Sequence, residues 1–398
     1  MNAPFEKLSE IERVIEFIQT GQEFHLNSTS INKRHGALWD AARLQALATL
    51  ARNSKSRELQ LSDQQKPAII AEELCQYSPG IVALRLHESL RSEKCSITRR
   101  QALAPARERI EDADSFRLNK LIKGRTIDLS CVSGAKRQYL APLFNYRSPR
   151  GVKDSAAMRS TIISIFKQIN HTEFNNLESD LLNAFGIFTC ELFKNTQEHA
   201  CTDVNGHAYT EHVEGLIASW GNLSIEMFED EFKTNERLAQ YWKNNLTRIH
   251  GDSQKAFRCM QISFFDTGPG LVSRALGKDS QSIAPEEESH ALLRCLEKNF
   301  TTKNQSGAGN GYPTILSQLK KVGGLIRIRS GRQCVFNCFD SNTTSKENNL
   351  DKSLNNRSAQ QDLLNFEPWW NKNLSHVTGT LVSIIVPLRK DSGQHSLL

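Results

Sequence analysis

The run Met260-Gln-Ile-Ser-Phe-Phe stops at Asp266, and Thr267-Gly268-Pro269-Gly270 follows at once. Alternation at a period of two marks a strand with one buried face. Two glycines around a proline then permit a tight turn and a close approach of the backbone to a ligand. An ionised Asp at that corner accepts hydrogen bonds and donates none, so it can read an exocyclic amine such as adenine's. The alternative is a hairpin turn capped by its own Asp, a common turn composition.

A second segment, Glu191-Leu-Phe-Lys-Asn195-Thr-Gln-Glu-His199, falls late in a helix predicted over Leu177 to Ala200. Glu191 and Asn195 are four apart, so carboxylate and carboxamide share one face a turn from each other. A carboxylate there can orient or deprotonate a water, and the Asn carbonyl is a hard oxygen suited to Mg²⁺. The same spacing also describes ordinary solvated surface.

A third segment runs Asn299-Phe-Thr-Thr302-Lys303, then a polar spacer, then Gly307-Ala-Gly309-Asn310-Gly311-Tyr312 opening an amphipathic helix through Lys321. A glycine-rich turn entering a helix N-terminus offers unpaired N–H groups and a positive dipole end to phosphates. The Gly-Lys-Ser/Thr ending of a Walker loop is absent. The fourth segment, Val377-Thr-Gly379-Thr380 through Val386-Pro387-Leu388, reads as a core strand whose first threonines line a ligand floor and whose proline closes it.

Taken in order, the four segments resemble the GHKL (Bergerat-fold) ATPase superfamily, the HATPase-type domain of histidine kinases, anti-sigma-factor kinases, gyrase, mismatch-repair MutL and the heat-shock chaperone. Glu191 to His199 is similar to its Asn box, Asp266 to Gly270 to its first glycine box, and Phe300 to Gly311 to its second. The resemblance covers roughly Asp154 to Lys390. It implies an α+β fold, a two-layer sandwich of a mixed sheet with helices on one face, holding ATP and Mg²⁺ between helix and lid. Asn195 would ligand the Mg²⁺, Asp266 would bind the adenine amine, and Gly268 and Gly270 would pass close to the base. Gly307, Gly309 and Gly311 would form the phosphate-facing lid with Thr302 and Lys303, His199 would border the nucleotide, and Thr380 would lie on the adenine floor. Glu191 matches the general base of the hydrolysing members. About 70 residues separate Asn195 from Asp266, more than in the kinases, and Tyr312 stands where kinases often carry Leu.

Pro149-Arg150-Gly151 divides the chain into an expected N-terminal α/β domain, 1–150, and the ATP-binding domain, 151–398, with insertions near 222–250 and 341–374. In the first region, helices are predicted over Phe5 to Gln19, His35 to Ala51 (amphipathic) and Ala68 to Arg91, the last interrupted at Pro79-Gly80, with strands over Arg57 to Ser62 and Arg125 to Val132. His87-Glu88 with Leu90 and Arg91 is similar to a phosphoacceptor stretch but lacks its usual proline. The second insertion carries eight Asn and reads as a loop anchored by Phe366, Trp369 and Trp370.

The chain of 398 residues has a formal charge of +6, yet Arg91 to Ser160 alone holds 16 Lys+Arg against 7 Asp+Glu. Such a stretch suits phosphates, nucleic acid or an acidic partner surface, or is simply a solvated helical face. Nine unpatterned cysteines fit a reducing compartment and argue against structural zinc. No run approaches the roughly 20 apolar residues that span a bilayer, so a cytoplasmic protein without membrane attachment is expected. The leading expectation is an ATP-hydrolysing conformational switch that controls a protein partner or its own dimer. A protein kinase of the histidine-kinase or anti-sigma type is the alternative, and an ATP-regulated nucleic-acid binder using the 91–160 segment is the third.

Overall fold

A computed structural model describes residues 5–22, 24–93, 95–146, 151–175, 177–248, 255–279, 282–297, 311–339 and 363–388. The elements that place the site are, in chain order, helices α1 (Leu8–Thr20), α2 (Ala37–Asn53) and α3 (Ser78–Leu86), strand β1 (Thr126–Val132), helices α4 (Ser155–Ile169) and α5 (Ser179–His199), strand β2 (Val213–Leu223), helix α6 (Glu236–Asn244) and strand β3 (Lys255–Asp266). After these come α7 (Leu271–Leu276), α8 (Pro285–Cys295), α9 (Gly311–Val322), β4 (Leu325–Gly331), β5 (Gln333–Cys338), β6 (Glu367–Pro368) and β7 (Val377–Pro387).

These strands form one sheet in the order β6-β5-β4-β7-β3-β2-β1, with the short strand Leu246–Arg248 also pairing β3. Every pairing in it is antiparallel, where a mixed sheet is expected. The expected α+β sandwich is observed. β1, from the N-terminal side of the expected boundary, is its edge strand and pairs with β2 from Thr126↔Ser219 to Val132↔Val213.

Alternation along β3 sends Met260, Ile262 and Phe264 to one face and Phe257, Cys259 and Phe265 to the other, and each face has its own core. The first core is closed by α4, α5 and α9, through residues such as Phe166, Phe185, Phe188 and Ile315. The second is closed by the N-terminal helices, with Trp39, Leu44 and Leu47 of α2 at its centre. Helices therefore cover both faces rather than one, and this is why the central strands are buried along almost their whole length.

Helix α2 departs from its amphipathic reading, because it is buried on nearly every side. Its polar residues find distant partners instead of water. The first N–H groups of a helix lack intrahelical acceptors. Here Ala37 N donates to Ser219 Oγ at 2.8 Å and Leu38 N to Gln261 Oε1 at 3.3 Å, so the sheet itself caps the helix. Arg43 donates to the Phe5 carbonyl at 2.8 Å, and Asp40 accepts from the Tyr77 hydroxyl at 2.6 Å.

The described part of the stretch expected as an insertion, residues 222–248, folds onto this same N-terminal side, and 249–250 lie outside the described residues. Phe228, Phe232 and Trp242, from a π-helical turn and α6, pack with Phe257 and Trp369. Buried Glu231 of the π-helical turn accepts a hydrogen bond from Leu8 N at 2.7 Å, so it receives the first turn of α1. The aromatic anchor expected in the second insertion is Trp369, fully buried against Phe336, with Arg327 set 5.4 Å from its ring centre. No described helix is long and apolar enough to cross a membrane.

Candidate functional site

The end of β3, the start of β7 and the last turns of α5 enclose a narrow cleft with an interior volume of about 30 Å³, the space of a water molecule or two. Asn195, Thr196, His199, Asp266, Gly270 and Thr380 line it, together with apolar Leu192, Phe264, Leu271, Tyr312 and Val382. Five residues expected from separate sequence segments thus share one concavity. Helical spacing brings Asn195 and His199 to the same face of α5. Strand alternation puts Asp266 on the same side of the sheet as Phe264.

Asp266 is the most constrained of them. Its Oδ1 accepts from Gly268 N at 2.9 Å and Thr380 N at 3.3 Å, whereas Oδ2 accepts nothing among the described residues. Burial raises its carboxyl to about 6, opposed first by His212 and then by the two N–H donors. The corner is sealed by close backbone contacts. A Cβ on Gly268 would lie 2.5 Å from the Ala200 carbonyl oxygen. Gly379, with φ +72°, presses on the Asp266 carbonyl and donates from its N–H to the Gly268 carbonyl at 2.9 Å.

The N-terminal helices reach this corner from behind. Gln45 Nε2 of α2 lies 3.1 Å from the Arg329 carbonyl, 3.3 Å from that of Thr378 and 3.5 Å from that of Gly379. Thr378 N donates to Thr49 Oγ1 at 3.0 Å.

Gly311 opens α9 directly over the face of α5 that carries Glu191 and Asn195. A methyl placed there would sit 3.3 Å from Asn195 Nδ2 and 3.4 Å from Glu191 Oε2, which places both side chains beside the start of that helix. Glu191 Oε1 is held by Lys194 Nζ at 2.9 Å, and Glu191 is partly exposed. Thr302, Lys303, Gly307 and Gly309 lie outside the described residues. His87, whose context is similar to a phosphoacceptor stretch, is buried with Nδ1 2.7 Å from the Ala83 carbonyl, and burial lowers its pKa to about 4. That location leaves it no access to a γ-phosphate.

Sequence reasoning missed the apolar lining and three neighbours of Asp266: Cys201, His212 and Glu214. The signal for the last two was available, since His212 and Glu214 are two apart at the start of a strand and so share a face. A second concavity, away from the first, is lined by Arg85, Arg99, Arg100, Arg107, Lys136 and Arg137 with Glu88, Glu111 and Glu211. Part of the charge of the 91–160 segment is neutralised in place. Arg99 pairs with Glu211 at 2.8 Å, Arg107 with Glu111 at 3.2 Å, and buried Arg109 with Asp128.

Comparison with protein-family models, with curated proteins and with solved structures finds no match for this chain.

Proposed function

We propose that this chain is a GHKL-type ATP-binding protein that hydrolyses ATP and uses the nucleotide as a conformational switch toward a protein partner. The observation that supports this best is the pairing of a buried Asp at a strand-to-glycine corner with an Asn-box helix across one cleft. Asp266 Oδ1 is saturated by two backbone donors, which leaves Oδ2 to accept from the amine of an adenine. Phe264, Leu271 and Val382 give the base apolar walls, and Tyr312 lies at the mouth of α9.

The residues on α5 suit the phosphates. Asn195 offers a neutral oxygen donor that fits Mg²⁺, whose remaining positions phosphate oxygens and water would fill. Mg²⁺ bound with the nucleotide would neutralise phosphate charge during transfer. Glu191 acts as general base, orienting a water toward the γ-phosphate, and must first exchange its contact with Lys194 for that water. Gly311 lets the N-terminus of α9 lie directly over this pair, where its N–H groups face incoming phosphate oxygens.

The test is isothermal titration of Mg·ATP combined with phosphate release for wild type, Asn195→Ala and Glu191→Ala. Loss of Asn195 is expected to weaken Mg·ATP binding, whereas loss of Glu191 spares binding and stops hydrolysis. No ATP binding by folded wild type would overturn the reading, and equal hydrolysis by Glu191→Ala would remove Glu191 as the base. Incubation with γ-labelled ATP separates the kinase alternative: stable label on a protein favours a kinase, and free phosphate favours the switch.

A further inference from the structure

Beside the proposed nucleotide cleft, the chain turns back on itself after α5 and enters β2, which brings Cys201, His212 and Glu214 together. Among the described residues, this is the one group of three such side chains whose ligand atoms all lie within 4.8 Å of one another. Cys201 Sγ is 3.9 Å from Glu214 Oε2, and His212 Nε2 is 3.5 Å from that same oxygen. In a tetrahedral zinc site, with bonds of about 2.3 Å to sulfur and 2.0–2.2 Å to nitrogen and oxygen, neighbouring donor atoms stand roughly 3.3–3.6 Å apart. The group is therefore within a few tenths of an ångström of that arrangement along both measured edges.

The surroundings hold each donor in position. His212 and Glu214 are buried. The far nitrogen of the imidazole, Nδ1, lies 3.3 Å from Thr267 Oγ1, and that hydroxyl is itself fixed by Val213 N at 3.0 Å. The other Glu214 oxygen, Oε1, accepts from Gln197 Nε2. An imidazole and a carboxylate each oriented by a second hydrogen bond is the arrangement that metal sites use to fix their ligands. A thiolate, an imidazole and a carboxylate together match zinc in donor softness, whereas Mg²⁺ and Ca²⁺ favour oxygen donors alone.

We infer that Cys201, His212 and Glu214 form a zinc-binding site, with Cys201 Sγ, His212 Nε2 and one Glu214 oxygen as ligands and the fourth position taken by water. Binding displaces the Cys201 thiol proton to solvent. With Nε2 on the metal, the imidazole carries its proton on Nδ1 and donates a hydrogen bond to Thr267 Oγ1. Because Glu214 pairs across the sheet with Asp266, the ion would tie the end of α5, the start of β2 and the Asp266 corner together. The site does not depend on the nucleotide reading, and its test uses no ATP.

The full chain, stripped with chelator, is titrated with Zn²⁺ alone and with Co²⁺ alone. One equivalent of Zn²⁺ is expected, with proton release, and Co²⁺ should give a thiolate-to-metal charge-transfer band in the near ultraviolet. Cys201→Ser should abolish the band, and His212→Gln should weaken Zn²⁺ binding at least tenfold. In the wild type, which needs no variant to fold, Zn²⁺ should slow alkylation of Cys201 as read by peptide mass spectrometry. Absence of stoichiometric binding, a cobalt band that survives in folded Cys201→Ser, or alkylation of Cys201 unchanged by Zn²⁺ would each overturn the inference.

Discussion

Glu12 of α1 and Arg329 of β4 meet through two parallel hydrogen bonds, Nε to Oε1 and Nη2 to Oε2, each 2.9 Å long, in the interior of the protein. Arg327 adds a second guanidinium 3.8 Å from the same carboxylate. The pair joins residues 317 positions apart and fastens the N-terminal helix to the sheet. Removing one member of a buried pair leaves the other uncompensated, at a cost of about 3–5 kcal/mol. Glu12→Ala should therefore lower the free energy of unfolding, measured by denaturant titration, by that amount, because it strands two buried cations. The double variant Glu12→Leu/Arg329→Met should recover only part of the loss, because Arg327 remains buried without its carboxylate. A Glu12→Ala cost under about 1 kcal/mol would show that the pair is dispensable.

Asp266 predicts how nucleotide affinity depends on pH. Its carboxyl, raised to about 6 by burial, accepts hydrogen bonds at both oxygens only when ionised. ATP affinity measured by titration between pH 5 and 8 should be flat above about 6.5. Below 6 it should fall by up to tenfold per pH unit, one proton being displaced on binding. Asp266→Asn should keep the Oδ1 contacts to Gly268 and Thr380 but lose ATP binding at every pH. Unchanged affinity from pH 7 down to pH 5 would exclude Asp266 as the reader of the base.

Glu231 predicts a pH-dependent gain in stability. Burial raises its carboxyl to about 7 against an ordinary value of 4.5, with the Leu8 N–H the largest opposing cause. A raised carboxyl favours the fold fully below the unfolded pKa, and that contribution is lost as pH rises through the folded one. Glu231→Gln keeps an acceptor for Leu8 N and removes the buried charge. It should match wild type in thermal melts near pH 4.5 and exceed it at pH 8 by up to roughly 3 kcal/mol. A variant less stable than wild type at pH 8 would contradict this.

Gly379 tests the corner itself. Its positive φ and its contact with the Asp266 carbonyl leave no place for a side chain. Gly379→Ala should cost more than about 1 kcal/mol in denaturant unfolding and weaken ATP binding further than its loss of stability alone would. Wild-type affinity in that variant would mean that the corner does not set the position of Asp266.

The parts of the site that were legible in the sequence are those set by local periodicity. Four residues along a helix bring Glu191 and Asn195 to one face, and two along a strand bring Asp266 beside Phe264, whatever the rest of the chain does. The role of α2 was not legible. An amphipathic helix over His35 to Ala51 implies a solvated face, but Asp40, Arg43, Gln45 and Thr49 have buried partners at Tyr77, Phe5, Gly379 and Thr378, tens to hundreds of positions away. For the same reason β1 was recognisable as a strand but not as a neighbour of β2. The Cys201 group escaped notice because its cysteine has no sequence spacing that announces a ligand.

Gln45 has two amide hydrogens and three carbonyls within 3.5 Å, one of them on Gly379, which itself rests on the backbone of Asp266. The corner that would grip a base and the helix at the heart of the N-terminal half are thus successive links of one short chain of contacts. A displacement at either end has to be accommodated at the other, or a buried amide goes unsatisfied. Linkage makes such an arrangement symmetrical: whatever factor a ligand in the cleft imposes on a protein that grasps the N-terminal helices, that protein imposes on the ligand in return. On the proposed function, the first half of the chain would then serve as the read-out of the second rather than as a separate attachment to it.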